Sequence, residues 1–203
     1  MALLLATISA AVVIGLLLDG RVANLSGLEL RWTGLALAGL CLQLVSGPGI
    51  AVPLACLYLS FVVLSVFAAV NLRVIGFPLI LAGVALNAIV IGLNQGMPVA
   101  ERAIVATGQI ATIDDLTHAP PPKHHLATGD DLAMFLGDVI AMPRPIAQAI
   151  SVGDVLTYAG IGVVIVAGMR APALRRGGED GDADPAAFDE PGTLERLGAE
   201  PPS

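Results

Sequence analysis

Charge is absent from five long apolar stretches of this chain, and no other feature restricts its folding so much. The stretches are residues 2–18, 32–45, 50–70, 75–93 and 155–169, and none contains Asp, Glu, Lys or Arg. A helix needs about 20 apolar residues to cross a hydrocarbon core of about 30 Å. A single charge at mid-bilayer costs about 2.5–3.5 kcal/mol on insertion scales. The third and fourth stretches reach the required length. The first and fifth lie near its lower limit, and the second reaches it only with its flanks. The pattern predicts an all-α integral membrane protein of about five transmembrane helices, over residues 2–18, 30–46, 50–70, 75–93 and 153–169. Charged residues make up 13% of the chain, against about a quarter in soluble domains.

No Lys or Arg precedes the first stretch, and Arg21 follows it. A secretory signal has the opposite charge order, so this stretch reads as an uncleaved first span. Cys41 and Cys56 both lie in apolar stretches, where cysteine packs as a small apolar side chain rather than as a disulfide or metal ligand. The net charge of −7 is largely a property of the tail. Residues 170–203 hold four Arg and eight Asp or Glu, a net of 4 − 8 = −4. No basic patch suited to nucleic acid exists.

Basic residues near span ends set the expected orientation. Arg21, Arg31, Arg73, Arg170, Arg175 and Arg176 fall on one side. The other side has the uncharged Ser46-Gly47-Pro48-Gly49 turn and a long loop holding only Arg102, Lys123 and Arg144. The positive-inside bias counts the short loops. It places the N-terminus outside, the C-terminus in the cytoplasm, and loop 94–152 on the outer face of a bacterial plasma membrane. Residues 171–203 are rich in Gly, Pro, Asp and Glu, and read as a disordered acidic cytoplasmic tail, in preference to the alternative of a helical turn over 193–197 formed on a partner.

Local signals punctuate the spans. Pro53 falls in the first turn of the third, Asn71-Leu72-Arg73 ends it, and Gly76 and Pro78 open the fourth. Asn87 and Asn94 lie seven apart, on one helix face, where Asn87 serves as interhelical glue. Gly92-x-x-x-Gly96 has a close-packing spacing.

The outer loop holds the candidate functional residues: Asn94, Gly96, Pro98, Lys123, His124, Asp138 and, at its end, Asp154. Pro120-Pro121-Pro122-Lys123 precedes His124 and His125, with Asp130 and Asp131 nearby. Adjacent histidines point apart, so these residues read as a polar surface loop without metal or other cofactor. The apolar run 132–142 is too short to span and suits an interfacial or re-entrant helix. Ser151-x-x-Asp154 fits a capping box opening the last span. Gly137-Asp138-Val139 and Gly153-Asp154-Val155 recur sixteen residues apart. Asp138 has no capping role, and its apolar setting predicts a raised pKa. Two such carboxylates, if they meet, share a proton and can activate water.

These features resemble a bacterial family of multi-pass membrane proteins, the domain of unknown function 5317, over about residues 15–170. The resemblance rests on Gly20-Arg21-x-x-Asn24-Leu25, Asn71-x-Arg73, Asn94-x-Gly96-Met97-Pro98-Val99, Lys123-His124, Leu136-Gly137-Asp138-Val139-Ile140 and Ser151-x-Gly153-Asp154. It implies the multi-pass architecture and no activity. A fainter similarity to the lipoprotein signal peptidases, which are membrane aspartyl enzymes, runs through Asn94-x-Gly96, Asp138-Val139-Ile140 and Asp154. The chain departs from those enzymes in lacking their Gly-Asn-x-x-Asp-Arg element and the Ala-Phe after Asn-x-Gly. Gly153 also replaces their Ala, and there is one span more.

Two functions are therefore expected, the first preferred. One is a non-catalytic accessory, assembly or envelope component acting through its outer loop. Its partners are the lipid bilayer and another membrane protein, bound by loop or tail. The other is an intramembrane aspartyl hydrolase with Asp138 and Asp154 as its dyad. A transporter ranks lower, because no intramembrane charge or broken helix marks a midplane site.

Overall fold

The structure, a computed structural model, describes residues 2–45, 54–118 and 123–171. The Ser46–Gly49 turn, Pro53, the Pro120–Pro122 run and the tail beyond residue 171 lie outside the described residues. The chain is mostly helical. Five apolar helices are α1 (Ala2–Leu17), α2 (Thr33–Val45), α3 (Leu54–Val70), α4 (Phe77–Asn94) and α7 (Val152–Arg170). Between α4 and α7 come β1 (Met97–Val99), α5 (Glu101–Thr107), α6 (Ala111–His118), β2 (His124–Leu126), β3 (Ile140–Met142) and β4 (Gln148–Ile150). Helices α4 and α7, of 18 and 19 residues, are long and apolar enough to cross a membrane; α1, α2 and α3 are apolar but shorter.

The sequence explains the helix boundaries. Gly76 takes a left-handed φ of 97° as the N-cap of α4, with Pro78 in the first turn, where its missing N–H leaves no partner wanting. Ser151 caps α7 and completes a capping box with Asp154. At the end of α4 the left-handed residue is Gln95, at φ 56°, and not Gly96. Gly96 meets a different demand, since a Cβ there would stand 3.0 Å from the His125 ring.

Helix α4 packs on α7 and on α3, α7 also on α1, and α3 also on α2. The α4–α7 contact is antiparallel and built on glycines seven residues apart. A Cβ on Gly76 would come 2.6 Å from the Gly160 carbonyl oxygen, and one on Gly83 would meet Gly153 and Thr157. Small residues at such a crossing let the two backbones approach and interlock. The Gly92-x-x-x-Gly96 spacing has no such role, because nothing lies within 4 Å of a Cβ on Gly92.

Polar side chains close the helix ends at the Arg73 end of the bundle. Asn71 donates to the carbonyls of Arg31 (2.9 Å) and Phe67 (2.8 Å) and accepts from the Arg31 N–H at 2.8 Å. Asn24 Nδ2 and the Arg21 N–H both donate to the Met169 carbonyl, each at 2.8 Å. Carbonyls near a helix end lack intrahelical donors, and these contacts supply them for α7. The motifs around Asn24 and Asn71 are thus fasteners between connection and helix.

Leu57, Phe61, Val84, Val90, Ile91 and Met97 form one buried cluster, with Tyr58 and Leu136 against it. It joins α3 and α4 to the first strand of the segment beyond. A second, smaller cluster of Val99, Ile104 and Leu116 lies within that segment. The described residues between 95 and 151 therefore form a folded cap with a core of its own.

One expectation for this segment is corrected. The run 132–142 is not an interfacial or re-entrant helix. Only Met134–Leu136 makes a 3-10 turn, and the chain then extends into β3, antiparallel to β4 with Ile140 opposite Ile150. Ala133 at φ 52° and Gly137 at ψ −175° bracket that turn, and β-branched Val139 and Ile140 favour the strand that follows. Earlier in the segment come α5 and α6, which the sequence reading did not assign. Gly108 ends α5 in the left-handed conformation at φ 77°, a stop that glycine adopts without steric penalty.

Candidate functional site

Asp138 sits on the extended stretch between the 3-10 turn and β3. Its N–H donates to the Pro98 carbonyl at 2.9 Å, and its own carbonyl accepts from the Ala100 N–H at 3.1 Å. These bonds make a parallel bridge to Val99. On its other side β1 pairs in parallel with β2, with Met97, Pro98 and Val99 opposite His124, His125 and Leu126. Gly137 is required here, because a Cβ would lie 2.6 Å from the Pro98 carbonyl oxygen. The Asn94 to Val99 motif, through β1, and the Asp138 motif are thus bridged side by side.

The Asp138 side chain is buried, with the residue 6% exposed. Its Oδ1 has no hydrogen-bond partner among the described residues. Oδ2 lies 3.7 Å from His124 Nε2, too far for a hydrogen bond. Burial pushes the Asp138 carboxyl up to about 8, and the neighbouring charge of Asp154 pushes the same way, against a smaller opposing pull from Lys123. Enclosure holds the His124 imidazole below the ordinary histidine range, helped by the positive charges of Lys123 and His125. A third of the His124 side chain remains open, at 35%, so its enclosure is partial. At neutral pH the pair is a carboxylic acid beside a neutral imidazole, not an ion pair.

Asp154 has a different environment. Its Oδ1 accepts from Asn87 Nδ2 at 2.8 Å, and its Oδ2 accepts from the Ser151 N–H at 3.2 Å. Ser151 Oγ accepts from the Asp154 N–H at 2.9 Å and donates to Asn87 Oδ1 at 2.8 Å. The Asn87 amide is thus bonded to both ends of the capping box. This closed network ties α4 to the start of α7. Asp138 and Asp154 feel each other's charge but share no hydrogen bond.

The other sequence candidates sort into two roles. Asn94 clamps the cap, donating to the Val90 and Leu132 carbonyls at 2.9 Å each and accepting from the Leu132 N–H at 2.8 Å. The Lys123 carbonyl accepts from the Met97 N–H at 2.7 Å. Pro98 is buried in the strand pair, and Gly96 is buried just before it. The two histidines diverge as adjacent strand residues must. His125 Nε2 stands 2.9 Å from Asp131 Oδ1, and Asp131 Oδ2 accepts from the Thr128 N–H at 2.6 Å. Although partial burial works against it, these two bonds hold the Asp131 carboxyl below the usual carboxylate range. Among the described residues no group of three metal-ligating side chains converges.

Sequence reasoning missed the roles of Ser151 toward Asn87 and of His125 toward Asp131. It also missed the Gly76–Gly160 and Gly83–Gly153 pairs, whose sevenfold spacing was a usable signal.

A helical chain with two membrane-length apolar helices and a folded cap between them is the class this geometry defines, and the two helices point to a membrane location. Residues 27–166 match a family of unknown function (DUF5317), and the chain belongs to that family. No curated protein and no solved structure matches it.

Proposed function

We propose that the chain is a five-span membrane protein whose role is non-catalytic, as an accessory, assembly or envelope component that holds its cap at the outer membrane surface. The observation that carries this reading is the fastening of the cap. Asn94 grips Leu132, the Asp138 backbone grips β1, and Ser151 with Asp154 grips Asn87. The first joins the cap to the end of α4, the second holds the cap together, and the third locks α4 to the start of α7 where the cap ends, as suits a surface held for a partner.

Five spans are supported by the character of the helices. Leu5, Val13 and Leu17 on α1, Leu37 and Leu40 on α2, and Leu59, Val62 and Val66 on α3 are exposed. Apolar side chains facing outward around several helices suit lipid rather than water. Only 33% of α4 and 28% of α7 is buried inside the protein, unlike the core helix of a soluble domain. The cap lies outside and the C-terminus in the cytoplasm of a bacterial cell, by the placement of Arg21, Arg31, Arg73 and Arg170. The partner class is another membrane protein, met by the cap or the tail.

A cysteine at the exposed position 130, with Cys41 and Cys56 replaced, tests the orientation on intact cells. Labelling by a membrane-impermeant thiol reagent supports the outer cap; labelling only after lysis overturns it.

One observation favours a second reading, an aspartyl hydrolase. Asp138 is a buried, neutral carboxyl with a free oxygen, within electrostatic reach of Asp154, and such perturbed groups concentrate at functional sites. The engagement of both Asp154 oxygens weighs against it. Asp138→Asn and Asp154→Asn decide between the two: loss of function by both at normal abundance selects the hydrolase, and tolerance of Asp138→Asn removes it.

A further inference from the structure

A groove of about 550 Å³ lies between α1 and α7, floored by small residues such as Ala10 and Gly162, and Arg170 lines one end of it. Tyr158 lines the same groove. Twelve residues separate Tyr158 from Arg170, about 18 Å along a helix at 1.5 Å per residue. That exceeds half of a hydrocarbon core of about 30 Å, so it matches the depth of one leaflet. A Cβ on Gly162 would stand 4.0 Å from Ala11 and from Thr7, so the helices leave room there for a methyl group in ordinary contact and for nothing larger without filling the groove.

Among the described residues, basic side chains outnumber acidic ones at the Arg170 end of the groove. Arg21, Arg31, Arg73 and Arg170 all sit at that end of the bundle, against Asp19 and Glu29. None of the four arginines makes a salt bridge among the described residues. Basic pockets between spanning helices are suited to anionic headgroups, and a guanidinium holds phosphate through paired N–H donors.

We propose that this groove is a binding site for an anionic phospholipid, one acyl chain lying along α1 and α7 and the phosphate on Arg170. Charge complementarity selects this occupant over a helix from a second copy, which would bring the α7 end of another chain, with its own arginines, against Arg170. The assignment rests on the membrane reading above.

The test is native mass spectrometry of the full chain in detergent, titrated with phosphatidylglycerol and with phosphatidylcholine of the same chains. The expected result is preferential retention of phosphatidylglycerol by about fivefold, the factor one basic residue contributes at an anionic surface. Arg170→Gln abolishes the preference, and Gly162→Leu lowers retention of both lipids by filling the groove. Gly162→Ala, for which there is room, retains lipid as the parent does and shows that the position tolerates change. Equal retention of the two lipids, or an unchanged preference in Arg170→Gln, overturns the proposal. So does a lipid-free dimer cross-linked through cysteines at position 159. Extraction of the chain by alkaline carbonate would instead remove the membrane reading itself, a separate outcome.

Discussion

Asp138→Asn is expected to stabilise the cap at neutral and alkaline pH and to flatten its pH dependence. The carboxyl has an ordinary value of 3.8 and stands near 8 when buried. The folded cap holds this proton up to about pH 8, whereas the opened cap releases it above about 4. Between those limits the open form binds fewer protons, so stability falls as pH rises. The slope is about 1.4 kcal/mol per pH unit, which makes the penalty at pH 7 on the order of 4 kcal/mol relative to pH 4. It stops growing above about pH 8, where the folded form ionises too. Asn keeps the shape and has no proton to lose. The other groups facing Asp138 are Asp154 and Tyr158 from α7 and Lys123 and His124 beside β1; all four stay in place in the variant. The assay is thermal unfolding of the purified protein in detergent at half-unit steps from pH 5 to 9. The parent's midpoint should fall steadily to pH 8 and then level, while the variant should lose this component and lie about ten degrees higher at pH 8. Parallel curves for the two proteins would refute the reasoning, as would a variant less stable than the parent at pH 8.

Other substitutions probe the fasteners. Gly83→Ala drives a methyl into Gly153 and Thr157 and should cost about 1–3 kcal/mol by overpacking, while Gly92→Ala should be neutral; detergent melting of both checks the α4–α7 register. Asn71→Ala strands the Arg31 N–H and carbonyl and should cost about 1–3 kcal/mol, read as faster hydrogen exchange at Arg31 and through the first turn of α2. Ser151→Ala removes the α7 cap and the bond to Asn87, for about 1–2 kcal/mol, and Ser151→Thr should recover most of it.

Much of this protein is legible from one residue to the next along its chain. The unbroken apolar runs 2–18 and 75–93 mark apolar helices, because they are far longer than a strand and carry no charge. Gly76-x-Pro78 and Ser151-x-x-Asp154 mark helix starts because capping is a contact within four residues. Asp138 was identifiable as an acid without a local partner for the same reason. What tertiary structure alone decided is everything that depends on a distant approach. The run 132–142 became a turn and a strand because Pro98 and Ile150 offered it hydrogen bonds and a pairing edge, which outweigh the helical tendency of a short apolar segment. His124 and His125 went to Asp138 and Asp131 because a strand sends neighbours to opposite faces, and only pairing β2 with β1 fixed which face met which acid. Asp138 and Asp154 came within each other's field without touching because the glycine contacts set α7 against α4, and the bond from Ser151 to Asn87 held Asp154 to that helix. A sequence states which groups need partners, and the packing of helices sixty residues apart determines which of them find one.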